Sequence, residues 1–132
     1  MEKEKNMATI QQIYANVGSK NLNGVLDALT EDIIWAPPFT AEIPHTKLRI
    51  GKGEVKDFVI EMAGEVTYTE FIPQEFYADQ DTVIVKGFFK GTANHTGKAF
   101  ESDWIHLWKF RADKISSYQA FWNTQRVALA IH

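Results

Sequence analysis

The stretch ESDWIHLWKF, Glu101 to Phe110, sets one histidine between two tryptophans with two carboxylates just upstream. Successive side chains of a β-strand point to opposite faces, so residues of equal parity share a side. Read as a strand, the stretch turns Ser102, Trp104, His106, Trp108 and Phe110 one way and Glu101, Asp103, Ile105 and Leu107 the other. His106 then stands in an aromatic wall, and Asp103 points away from it. An acid that orients His106 has to come from another element.

Three neighbouring segments have the same extended character: Val66 to Tyr77, Thr82 to Thr92 and Lys114 to Trp122. The connections ADQD, ANHTGK and RADK are the short polar turns of consecutive antiparallel hairpins. Pro73 falls inside the first of these strands and predicts a bend or bulge there, because proline cannot donate to a ladder. Upstream the periodicity is helical. Ile10, Ile13, Tyr14 and Val17 recur at i, i+3, i+4 and i+7 and stop at Gly18. Leu22, Val25, Leu26 and Leu29 repeat the spacing behind a cap at Asn21, and Val55, Phe58, Val59 and Met62 do so before Gly64. Between the last two helices, IIWAPPF reads as a brief edge strand ended by Pro37, and residues 40–52 read as loop. NTQRVALAIH opens with a cap and predicts a short terminal helix. Helices followed by a bent meander give an α+β fold, a cone-shaped curved antiparallel sheet with the N-terminal helices packed on it and a pocket at its mouth.

The 132 residues suit one domain, 1–132, with a core that needs no staples. Composition is that of an ordinary globular chain, 45% hydrophobic and 23% charged. The absence of cysteine excludes disulfides, thiol nucleophiles and thiolate metal sites. A net charge of −3 without a basic cluster speaks against nucleic acid. MEKEKNMATI has no signal-type apolar core and no window is long enough to span a membrane, so a cytoplasmic protein is expected. His45, His95, His106 and His132 lack the short spacings of paired metal ligands, so no metal is expected.

The words YANVGSKNLNGVLDALTEDIIWAPP, GKGEVKDFV, FIPQEFYADQDTVIVKGFFKGT and FESDWIHLWKFRADKISSYQAFWNT together resemble the SnoaL-like, ketosteroid-isomerase-related members of the NTF2-like superfamily. The resemblance covers nearly the whole chain after its first residues. It implies a cone with an apolar cavity, no cofactor, a small apolar ligand, and a homodimer formed through the outer face of the sheet. The apolar Ile105 and Leu107 on that face agree with the last point. It places His106 at the position of the family's key acidic residue, flanked by Trp104 and Trp108, with Tyr118, Ala120 and Trp122 facing inward on the last strand and Trp35 and Pro37 on the short one. Tyr14 and Phe58 complete the expected ligand-facing set.

The family's catalytic residues are not retained. The base of ketosteroid isomerases corresponds to Pro37, their oxyanion-binding tyrosine to Ile13 with Tyr14 one step around the helix, and their hydrogen-bonding acid to His106. Where epoxide-hydrolase relatives carry Arg and two Asp, this chain has Trp104, His106 and Ala120. Both of those reactions are therefore excluded as expectations. The cyclases that name the SnoaL group use an acid/base residue at the position of His106, which histidine can fill. Two readings stay open. In one, His106 is a general acid/base for a cofactor-free isomerase or cyclase acting beside a carbonyl. In the other it is a neutral, hydrogen-bonded contact in a non-catalytic binding or scaffold module. Burial lowers its pKa and a carboxylate would raise it. Glu75, beside the Pro73 bend, is the first guess for that carboxylate, and Tyr118 is preferred to Tyr14 as the pocket hydroxyl. His45 reads as a solvated loop histidine.

Overall fold

The structure, a computed structural model, describes residues 2–132. In chain order the elements are α1 (Glu2–Gly18), α2 (Leu22–Asp27), β1 (Leu29–Ala36), β2 (Arg49–Ile50), α3 (Lys52–Glu65), β3 (Val66–Asp79), β4 (Thr82–Ala93), β5 (Ala99–Arg111), β6 (Lys114–Trp122) and α4 (Thr124–Ile131). The strands form one curved, unclosed sheet in the order β2-β1-β6-β5-β4-β3. Every adjacent pair is antiparallel except β1 with β6, which is parallel. The α+β architecture is the one expected from the sequence.

Burial alternates along β4 and β5 as a one-sided sheet requires. On β5, Phe100, Ser102, Trp104, His106, Trp108 and Phe110 are buried, while Glu101, Asp103 and Ile105 are exposed. On β6 the same face carries Ile115, Tyr118 and Ala120. Proline does what its missing N–H demands: the β3–β4 register shifts between Pro73 and Glu75. α1 lies across β3 and β4 through Ile10 and Ile13, and α3 across β1 and β2 through Val55 and Met62. The central strands β5 and β6 lie between these two covers. Asn21 caps α2 by accepting from Gly24 N, and Asn123 caps α4 by accepting from Arg126 N.

Several boundaries differ from the periodic reading. Leu29 begins β1 and pairs with Ile115 of β6, so a partner distant in sequence takes it from the helix. The same parallel pairing makes β1 an inner strand rather than an edge, with the two-residue β2 outside it. Gly64 does not stop α3, since its φ is not positive; the helix runs to Glu65 and passes directly into β3, where the Val66 N–H caps Met62 O. Val17, placed on the apolar stripe of α1, is exposed.

Candidate functional site

Parity on β5 sends Trp104, His106 and Trp108 together into the concave side of the sheet. Trp104 stands opposite Gly87 on β4, and a β-carbon at Gly87 would collide with the indole and with the Ile72 carbonyl oxygen. Glycine is what lets the Trp104 ring lie against the neighbouring backbone. His106 stacks on Trp104 with centroids 4.0 Å apart, and Phe71 lies 5.0 Å from Trp104 on the β3 side. Tyr118 stacks on Trp35 at 3.9 Å and meets the His106 ring edge-on at 5.1 Å. Trp35 in turn packs against Phe58 of α3 at 6.4 Å. Phe58, Phe76 and Trp122 are half-buried, so the ring cluster reaches the surface there.

The partner of His106 is Tyr14. Its hydroxyl lies 2.7 Å from His106 Nδ1 and accepts from Trp108 Nε1 at 3.1 Å. Indole can only donate, so the Trp108 N–H takes one lone pair of the Tyr14 oxygen and leaves the Tyr14 O–H available to donate to a His106 protonated on Nε2. In that tautomer each group is used once, and Nε2 bonds no described residue. The expected carboxylate at Glu75 is not there: Glu75 is exposed and accepts from Tyr77 at 2.5 Å, because the bulge at Pro73 bends β3 without turning Glu75 inward. Among the described residues no Asp or Glu is buried. With rings on its faces and a neutral hydroxyl as partner, burial pushes His106 down from its ordinary 6.5 to about 3. Burial also holds Tyr14 well above its ordinary value, against a smaller opposite pull from the Trp108 N–H, and raises Tyr118. The aromatic cluster is therefore neutral at physiological pH.

It also contains N–H groups with nothing to bond. The indole nitrogens of Trp35, Trp104 and Trp122 are buried without a partner. An unpaired buried N–H costs about 1–3 kcal/mol, so three in one aromatic cluster are a feature to be explained.

The expected set Trp35, Trp104, His106, Trp108, Tyr118, Tyr14 and Phe58 is brought into one connected ring cluster, and Trp122 touches it through Phe89 at 6.0 Å. Pro37 is buried and Asp103 exposed, as parity predicts. Tyr14, ranked behind Tyr118 as a pocket hydroxyl, is the tyrosine bonded to His106; its place one step around α1 from Ile13 is the signal for it. The sequence reading also missed His45, which is half-buried with Nδ1 2.9 Å from Glu61 and Nε2 3.4 Å from Glu65, both on α3. Among the described residues no group of three His, Asp or Glu side chains is placed to hold a metal. Among the described residues no helix is long and apolar enough to cross a membrane.

Residues 10–118 match the family of SnoaL-like domains. No curated protein matches the chain. An NTF2-like protein of Burkholderia xenovorans is 27% identical with a TM-score of 0.87, the alignment covering 100% of this chain and 99% of that one. One from Burkholderia thailandensis, also 27% identical, has a TM-score of 0.86 and covers 96% and 97%. A candidate polyketide cyclase of Xanthomonas campestris shares the fold at 13% identity, with a TM-score of 0.79 and full coverage of both chains.

Proposed function

This chain belongs to the SnoaL-like domain family, and from that premise we propose that it binds a small apolar molecule carrying a carbonyl or phenolic oxygen inside the aromatic cluster. One observation carries the reading: the cluster holds the unpaired indole donors of Trp35, Trp104 and Trp122 beside a His106 whose Nε2 bonds no described residue, and none of the described carboxylates is buried with them. An apolar site that holds a few unpaired donors would select a flat hydrophobic body by shape and its oxygen by hydrogen bonds. Phe58 and Trp122, half-buried at the surface of the cluster, are the rings a ligand would displace on entry.

Titration of the tryptophan fluorescence with 1-tetralone and with tetralin, its analogue without the oxygen, tests this. Tetralone is expected to bind at least about tenfold more tightly, which corresponds to one net hydrogen bond. Equal affinities would remove the oxygen-recognition reading.

The second reading, a cofactor-free isomerase or cyclase, is supported by the Trp108–Tyr14–His106 chain: with the Tyr14 O–H given to Nδ1, the Nε2–H of His106 would be the donor to a bound carbonyl. A neutral imidazole polarises a carbonyl without delivering a full proton. With a conjugate acid near 3, His106 is a weak base, so its part would be that of the electrophile. His106→Ala should then abolish turnover of an enolisable ketone while leaving the fold intact; in a binding module the same substitution lowers affinity only modestly.

The homodimer belongs to the same proposal. Ile105 and Phe121 face each other on the outer side of β5 and β6, and Ile84 and Ile72 extend that face across β4 and β3; all four are between 39% and 48% exposed. Such a strip suits a two-fold sheet-to-sheet contact, and a monomeric mass in native mass spectrometry would refute it. A cytoplasmic location is part of the same proposal, since a cysteine-free chain needs no oxidising compartment for disulfides.

A further inference from the structure

Tyr68 stands on β3 opposite Gly91 of β4, at the outer end of the row of rings that leads to His106. Its ring meets Phe89 at 5.2 Å, Phe71 at 5.3 Å and Phe100 at 6.1 Å. Phe71 carries the contact inward, to Trp104 at 5.0 Å and to His106 at 6.1 Å. One phenyl ring thus links Tyr68 to the imidazole. Phe89 packs on Trp122 at 6.0 Å, so Tyr68 lies on the side where Trp122 reaches the surface. The corner has room for these rings because position 91 is glycine: a β-carbon there would stand 2.7 Å from the Phe100 ring and 2.5 Å from the Thr67 carbonyl oxygen. Tyr68 is 42% exposed, so a ligand can reach it from solvent.

The hydroxyls of the four tyrosines are used differently. Tyr14 is engaged by His106 and Trp108, and Tyr77 by Glu75, whereas the hydroxyls of Tyr68 and Tyr118 bond no described residue. Those two share one interior. Burial raises Tyr118 most, and the Tyr14 and Tyr68 hydroxyls raise it further by the like charge they would carry when ionised. Tyr68, despite its open surface, is itself pushed up to about 12 by the protein around it. Open surface together with such crowding is the condition of a side chain that lines a hollow. The unpaired indoles of the cluster only donate, while a neutral tyrosine oxygen also accepts, so it can serve a ligand hydroxyl where an indole cannot. Tyr118 stacks on Trp35 and meets His106 edge-on, beside the imidazole, and Tyr68 is one ring farther out.

We propose that Tyr68 is a specificity-determining residue of the aromatic cluster, whose hydroxyl takes a second oxygen of the ligand: a phenolic hydroxyl at the end of a flat ring system opposite the carbonyl held at His106. The inference rests on the reading that an oxygenated apolar molecule binds there, and it narrows that class to hydroxylated aromatic ketones. One phenyl ring between Tyr68 and His106 sets the two oxygens at opposite ends of a ligand of about two fused rings.

The test is isothermal titration calorimetry of the full chain at neutral pH with 1-tetralone and with 6-hydroxy-1-tetralone, which adds a hydroxyl across the ring from the carbonyl. The hydroxylated ketone is expected to bind at least about fivefold more tightly, which corresponds to one net hydrogen bond. Tyr68→Phe keeps the ring and its contacts and removes one oxygen at an exposed position, so the fold should be unchanged. In that variant the two ketones should bind equally, with the affinity for 1-tetralone as before. Tyr118→Phe should leave the preference in place. Equal binding of the two ketones by the unaltered chain, a preference that survives in Tyr68→Phe, or one that disappears in Tyr118→Phe instead overturns the role of Tyr68. Each of these leaves the wider reading standing as long as 1-tetralone is preferred to tetralin; no saturable binding of either ketone overturns both.

Discussion

His106 and His45 are the same residue type in opposite surroundings. His106 has aromatic rings around it, one neutral hydroxyl on Nδ1 and no described residue bonded to Nε2. His45 has a glutamate within reach of each ring nitrogen and an arginine on its carbonyl. In the first case burial penalises the cation and nothing offsets the penalty, so the imidazole stays neutral down to about pH 3. In the second each ring nitrogen faces a carboxylate, Glu61 at Nδ1 and Glu65 at Nε2. A histidine's chemistry thus follows from what its fold brings to it. The aromatic interior depends on shape and on neutral hydrogen bonds, and the segment at Arg49 depends on charge.

Four substitutions sharpen or break that contrast. The largest effect is expected from Trp104→Ala, which empties the space against Gly87 and removes the ring on which His106 stacks; chemical denaturation should show a loss of about 3–5 kcal/mol. If the loss is below about 1 kcal/mol, shape does not hold this interior together.

Next comes the pH dependence of His106. Its folded pKa of about 3 lies below the ordinary 6.5, so between those values the unfolded chain binds a proton that the folded chain refuses. Stability then falls as pH falls through this window, by up to about 1.4 kcal/mol per pH unit, and the loss levels off below it. His106→Gln should flatten the stability profile between pH 6 and 4, roughly the middle of that window. Parallel profiles in the two proteins would mean that His106 takes up its proton without cost.

Tyr14→Phe is a smaller change to the same chain. It keeps the ring and leaves Trp108 Nε1 and His106 Nδ1 without their partner, at an expected cost of about 1–3 kcal/mol by urea denaturation. Its imidazole should also lose the fixed tautomer, visible in the 15N shifts of His106. The smallest effect is expected from Glu61→Gln in the charged centre. His45 keeps Glu65 and Arg49 keeps the His45 carbonyl, so Tm should fall slightly in dilute buffer, and the difference should vanish in about 1 M salt. A salt-insensitive loss would place Glu61 with the interior, as a group whose packing matters more than its charge.

Elements whose information is local were legible. Period two along β5 and β6 assigned Trp104, His106, Trp108 and Tyr118 to one face, and the Asn21 and Asn123 caps and the Pro73 bulge follow from side-chain and backbone chemistry within a few residues. What depended on distant partners was not legible. β1 became an inner strand only because it lies parallel to β6, and Leu29 left its helical stripe for the same reason. The guess at Glu75 failed because parity states which face a side chain takes without stating what stands opposite that face. Tyr14 and His106 are 92 residues apart, and their hydrogen bond exists only because α1 crosses the sheet at that height.

The sequence by itself determined the class of fold, the inward row of aromatic residues and the position of one histidine within it, because strand alternation, helix periodicity and turn chemistry act over a few residues. Only the tertiary structure decided that this histidine is neutral, that a tyrosine and a tryptophan orient it, that three indoles keep unpaired donors, and that Arg49 is buried against Glu61 and the His45 carbonyl. Those outcomes depend on burial and on partners far apart in the chain, and desolvation and hydrogen bonding act between groups that only folding brings within a few ångströms of each other.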